Sequence, residues 1–148
     1  MKVAIGAVGI LAGCLFALNT ACAGNGQALT AQLHNQTIDE IKLISANWSL
    51  GDALPERFDI PAGARANLNI IHPNQPVSEV SFRYSSGNKS CTFRAGHGVK
   101  KSFGWFTPTE TPFHWANAKS EGSFVASCTA TVSRSTPGQE YSVQFSMK

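Results

Sequence analysis

The strictest constraint on this chain is a two-residue rhythm. Near its end Tyr141, Val143, Phe145 and Met147 are apolar and the residues between them are polar. The same alternation runs through 29–35, through Ala64, Ala66, Leu68 and Ile70, through Val80, Phe82 and Tyr84, and through 122–134. A period of two suits a pleated strand, whose successive side chains point to opposite faces. Turn chemistry separates these runs. Asn35-Gln36-Thr37, Gly51-Asp52 with Pro55, Pro61-Ala62-Gly63, the 72–76 loop, Ser85-Ser86-Gly87-Asn88-Lys89 and Ser135-Thr136-Pro137-Gly138 all punctuate the pattern. Further strands are predicted over 41–48, 57–60 and 90–94, the last broken by Ala95-Gly96-His97-Gly98. Residues 99–118 fit no clear pattern, and no amphipathic helix of useful length occurs. The expectation is an all-β fold, an antiparallel β-sandwich of immunoglobulin-like or jelly-roll-like type, with about eight strands.

Ahead of this pattern lies a different kind of segment. Met1-Lys2 supplies a positive start, and 3–18 carry no charge. Ala21-Cys22-Ala23 then places small residues where signal peptidase requires them. The run is short for a bilayer span, which needs about 20 apolar residues. Residues 1–23 therefore read as a signal peptide and 24–148 as a single exported domain, periplasmic or secreted. Leu11-Ala12-Gly13-Cys14 also has the letters of a lipoprotein cleavage site, with Cys14 as the lipid anchor. Against that, the apolar run continues past Cys14, and Cys22 would be left as an odd thiol. Cleavage after Ala23 removes Cys14 and Cys22 together and leaves Cys91 and Cys128. An even remainder is what an oxidising compartment favours, so these two are expected to pair. Closing a loop of that length is worth roughly 4 kcal/mol in the chain-entropy description.

Charge excludes one class of partner. The 12 Lys and Arg stand against 9 Asp and Glu, and Lys2 departs with the leader. Such a balance does not suit nucleic acid, whose binding rests on neutralising phosphates. Catalytic signatures are no more evident. His34, His72, His97 and His114 show no metal-ligand spacing, with His97 between glycines expected to be exposed and His34 expected to be a satisfied edge residue in a strand. No Gly-x-Ser-x-Gly occurs, and nothing links the carboxylates Asp59, Glu79 and Glu110. No catalytic residue, metal or cofactor is implied. Asn-x-Ser/Thr triplets at Asn35, Asn47 and Asn88 read as turns, although a eukaryotic secretory pathway could glycosylate them.

The stretch 100–115 stands apart. Phe103, Trp105, Phe106, Phe113 and Trp115 crowd there beside Lys100 and Lys101, among Thr and Pro. Two prolines argue against a central strand. Trp and Phe beside Lys suit a membrane interface, where rings enter the headgroup layer and ammonium groups meet phosphate. A sugar or a partner protein would use the same chemistry. The competing expectation is that these rings cap one end of the core. The candidate ligand-binding set is Lys100, Lys101, Trp105, Phe106, Phe113 and Trp115.

The chain also resembles the aegerolysins, small β-sandwich proteins, in four places taken in order. These are Asn35-Gln36-Thr37, the segment 48–51, Ile60-Pro61-Ala62-Gly63, and 84–91 with its Gly-Asn-Lys turn. Together they span about half the domain. The resemblance implies binding of specific membrane lipids, most plausibly through Trp105, Phe106, Phe113 and Trp115. It does not extend past Gly98, and the chain is slightly basic where that family is typically acidic. Three functions follow as expectations: a non-enzymatic module binding lipid or another envelope component through 100–115; a periplasmic inhibitor or immunity-type protein that blocks a partner; or a small hydrolase with a composite site.

Overall fold

A computed structural model describes residues 27–48, 55–71, 77–105, 107–136 and 139–148. The proposed leader, with Cys14 and Cys22, lies outside the described residues, as do His72 and Phe106. Among the described residues eight strands form two four-stranded sheets. They are β1 (Ala28–Asn35), β2 (Lys42–Ala46), β3 (Arg65–Ile71), β4 (Ser78–Ser86), β5 (Lys89–Phe103), β6 (Pro108–Ser120), β7 (Cys128–Arg134) and β8 (Tyr141–Met147). One sheet has the order β3-β1-β8-β7 and the other β2-β4-β5-β6. Pairing is antiparallel except between β1 and β8, which run parallel, Leu29 opposite Tyr141 and Leu33 opposite Phe145.

The two-residue rhythm now has its physical meaning. Leu29, Ala31 and Leu33 of β1 and Tyr141, Val143, Phe145 and Met147 of β8 all point into one core. They meet Val80, Phe82 and Tyr84 of β4 and Cys91, Phe93 and Ala95 of β5 from the other sheet. Phe82 is the hub. Its ring lies 5.2 Å from Phe145 across the sandwich, 5.5 Å from Phe93 beside it and 5.4 Å from Trp48, spacings at which rings attract edge-to-face or tilted. The Cys91–Cys128 disulfide joins β5 to β7, and so one sheet to the other.

Two turns require glycine. Gly63 and Gly87 hold φ of 71° and 55°, in the left-handed region that a side chain disfavours. Gly87 makes the β4–β5 turn, as the Gly-Asn pair predicts.

The structure corrects several expectations. The stretch 57–60 is not a strand. Pro55–Phe58 forms a single 3₁₀ turn, and Ile60 makes only an isolated bridge to Ile41. Its carbonyls are used from the side: the buried Tyr84 hydroxyl donates to the Phe58 carbonyl at 2.8 Å. Burial, and then the Asp59 charge, push that hydroxyl's pKa up. The segment 122–134 is strand only from Cys128 onward. Before it, Gly122 is pressed against the β4–β5 turn, where an added Cβ would sit 2.3 Å from the Asn88 carbonyl oxygen. Phe124 therefore turns outward, at 61% exposure. Gly96-His97-Gly98 does not break β5, which runs straight through it. His97 is buried rather than exposed. His34 is half-buried in β1, an inner strand of its sheet.

Candidate functional site

The unassigned stretch 99–118 is half of a long hairpin. β5 pairs with β6 from Cys91 opposite Ser120 out to Phe103 opposite Pro108. On its other edge β5 pairs with β4 only as far as His97, opposite Ser78. Beyond that row the two strands have only each other. Six rows, from Gly98–Phe113 to Phe103–Pro108, extend past the partner strand, which at about 3.4 Å per residue is an arm of roughly 20 Å. Every described residue from Lys100 to Phe113 is exposed.

The prolines fit this arrangement. β6 is the edge strand of its sheet, where a missing N–H leaves no ladder bond unmade. Pro108 and Pro112 face Phe103 and Val99. Proline has no N–H to offer β5, so both sit where the backbone N–H would point away from the ladder, toward solvent. They blunt the arm's outer edge against pairing with another strand.

The candidate residues divide into two groups. At the tip, Trp105 is 97% exposed and Phe103 85%. Neither ring rests on the sandwich. Lys101 forms a 3.1 Å ion pair with Glu110 across the arm. Lys100 lies opposite Thr111 on the other face of the ribbon and is exposed. Nearer the sandwich, Phe113 and Trp115 stand over glycines. Trp115 faces Gly96, where an added Cβ would meet Trp115 Cζ2 at 2.8 Å and the Ser78 carbonyl oxygen at 2.4 Å. Phe113 covers Gly98 in the same way, with Cε1 and Cζ at 3.1 Å. Each aromatic fills the space its cross-strand neighbour lacks, a pairing that stabilises glycine within a sheet. Trp115 is half-buried and Phe113 is 44% exposed. Among the described residues of the sequence set, Trp105 is the solvent-facing ring at the tip, and Phe113 and Trp115 are the rings that brace the arm's root. Phe103 belongs with Trp105, and its place in the aromatic run was the only sequence signal for it.

His114 marks the root on the inner face. It lies opposite His97, in the last row that β4 also reaches. Its ring stacks on Tyr141 of β8, centroids 4.2 Å apart and planes 8° from parallel. Its Nε2 is 2.8 Å from the Gln27 side-chain amide and its Nδ1 2.7 Å from the Ser135 hydroxyl. Gln27 precedes β1 and Ser135 follows β7, so one imidazole ties the arm to the opposite sheet.

At the other end of β5 lies a second apolar surface. Ile38, Phe124 and Val125 are 92%, 61% and 87% exposed. The first two border an open cleft of about 530 Å³ that Asn88, Lys89 and Lys148 also line.

The acidic residues considered for catalysis are apart and engaged. Asp59 accepts from the Leu43 amide, Glu79 pairs with Arg94 at 3.8 Å, and Glu110 pairs with Lys101. Among the described residues no three His, Cys, Asp or Glu side chains cluster as metal ligands, and no helix is long and apolar enough to cross a membrane. No family model, curated protein or solved structure matches the chain.

Proposed function

We propose that this protein is a non-enzymatic binding module that touches a lipid surface with the tip of the β5–β6 arm. One observation carries the reading: Trp105 and Phe103 are held almost fully in water at the end of a two-stranded projection. Moving a large ring out of water is worth about 1.5–3 kcal/mol. A domain with a dense core elsewhere gains nothing in stability by displaying two at a tip. Lys100 and Lys101 lie just behind the rings, where ammonium groups meet headgroup phosphate. The likeness to aegerolysins points the same way, as does an inter-sheet disulfide compatible with an exported protein.

The arm's chemistry limits its depth. Neither face of the ribbon is continuously apolar behind the tip: the Lys101–Glu110 row interrupts the face that carries Val99 and Pro112, and Lys100, Ser102, Thr109 and Thr111 lie on the other. A membrane-spanning strand needs one continuous apolar face for about 9–11 residues. The arm dips its end into the interface and stops.

Sedimentation with phosphatidylcholine vesicles, with and without an anionic lipid, tests this. Trp105→Ser is expected to weaken binding roughly tenfold, and Phe103→Ser by a similar factor. Trp115→Ser should act mainly on stability. No binding by the parent, or no loss with Trp105→Ser, rejects the reading.

A projecting arm with an aromatic tip is also the shape of an inhibitor loop that enters a partner's cleft. A pull-down from native envelope that returns one stoichiometric protein, released by Trp105→Ser, would favour that second reading.

A further inference from the structure

We propose that His114 is a proton sensor at the root of the arm, whose protonation breaks the link between β6 and the opposite sheet and lets the arm swing. This rests on the arm as the contact surface only for its consequence; the sensing itself stands on the geometry of six groups.

The hydrogen bonds fix the protonation state. The Gln27 side-chain amide nitrogen reaches two acceptors, His114 Nε2 and the carbonyl oxygen of Gln139. Only an NH₂ can serve both. Rotating the amide would set its oxygen against the Gln139 carbonyl, so that backbone group holds Gln27 as a donor. His114 Nε2 must then accept, which places the ring proton on Nδ1, donated to Ser135 Oγ. The imidazole is locked neutral.

An imidazolium has two N–H donors and no acceptor. Adding the proton puts a donor on Nε2 against the Gln27 NH₂, and the bond becomes a repulsion. Among the described residues nothing else there welcomes the charge. The groups facing His114 are the His97 imidazole from β5, the Tyr141 ring from β8, the Gln27 amide ahead of β1 and the Ser135 hydroxyl after β7. None is a carboxylate. Arg134 beside Ser135 and Glu140 beside Tyr141 are exposed to water. Burial, followed by the neighbouring His97 charge, accordingly lowers the His114 pKa below its ordinary value.

The direction of the pH effect follows. A histidine whose folded pKa lies below the unfolded one binds fewer protons in the native state. Its stabilising contribution is complete above the unfolded value, near 6.5. It is lost as pH falls from there to the lower folded value. The cost falls on the one imidazole that joins β6 to β1, β7 and β8, so local opening at the root is the cheapest response.

Amide hydrogen exchange in solution, without vesicles, reads this directly. Between pH 7.5 and 5.5, protection of the amides around 113–116 should fall roughly tenfold after correction for intrinsic rates. His114→Phe, which keeps a flat ring against Tyr141 and cannot titrate, should show the same protection at both pH values. His114→Gln serves if the Phe variant folds poorly. Constant protection in the parent, or an equal fall in both variants, overturns the proposal. Vesicle sedimentation of the parent and of Trp105→Ser at pH 7.5 separates the two ideas: a root that opens on acidification in a protein that does not bind vesicles, or whose binding survives Trp105→Ser, removes the lipid reading and leaves the sensor standing.

Discussion

Asn35 shows how much one side chain can hold. It is fully buried. Its amide nitrogen donates to the carbonyls of Asp39, Ile60 and Pro61 at 2.7–3.0 Å, and its oxygen accepts from the Thr37 amide and hydroxyl at 2.9 and 2.7 Å. One polar group thus satisfies two loops that cannot pair with a strand. Asn35→Ala removes every one of these bonds; the Ile60, Pro61 and Asp39 carbonyls keep one donor each, from the Ile41 and Ala64 amides and the Thr37 hydroxyl, but the Thr37 amide loses its acceptor. With several bonds at about 0.5–1.5 kcal/mol each, a loss of roughly 3 kcal/mol is expected in urea unfolding. The burial also settles the first glycosylation triplet: a sugar cannot reach Asn35 in the folded chain. Two glycines make a sharper comparison. Gly96→Ala would drive a Cβ to within 2.4 Å of backbone at Ser78, whereas at Gly98 the nearest atoms, 3.1 Å away, belong to the Phe113 ring. Backbone in a sheet cannot retreat, but a half-exposed ring can. Gly96→Ala should cost about 1–3 kcal/mol and Gly98→Ala much less, measured by thermal unfolding of both variants.

At the scale of elements, the arm explains both what the sequence showed and what it hid. Alternation revealed β1, β3, β4 and β8 because each buries one face and wets the other. The arm buries neither face, so its strands carry no such pattern and most of 99–118 shows no alternation. Gly96 and Gly98 looked like breakers because their fillers, Trp115 and Phe113, lie on another strand 15 or more positions away. Alternation extended back from Cys128 across 122–134 would put Phe124 on the inward face, but the residues before Cys128 form a loop that Gly122 has already bent. The aromatic cluster itself was legible, yet its division into a wet tip and a braced root depends on cross-strand register. The prolines add a prediction at this scale. Pro108→Thr/Pro112→Thr restores two outward N–H groups on the arm's free edge. The double variant should keep the parent's unfolding midpoint, because the arm is exposed, but should aggregate at lower protein concentration in light scattering. Unchanged aggregation would mean that Glu110 alone guards that edge.

The whole molecule has two ends with different duties. β5 runs the full length between them, from Lys89 at the disulfide end to Phe103 at the tip. Cys91 lies in its third position and bonds Cys128 across a sequence separation of 37. The chain-entropy estimate for such a loop is about 4 kcal/mol. At roughly 3–6 °C per kcal/mol for a domain of this size, the double variant Cys91→Ala/Cys128→Ala should melt on the order of 10–20 °C lower. The contact surface should not notice. The arm lies beyond the last row shared with β4, and its root is held by His114 and the Gly96–Trp115 pair rather than by sulfur. Well below its melting point the variant should therefore bind vesicles as the parent does. If binding fails while circular dichroism still reports the native sheet, the two ends are mechanically coupled through β5 and the arm is not an independent projection. If neither stability nor binding changes, the bond is not what joins the sheets, and the Phe82–Phe145 and Phe93–Phe145 ring contacts carry that task alone.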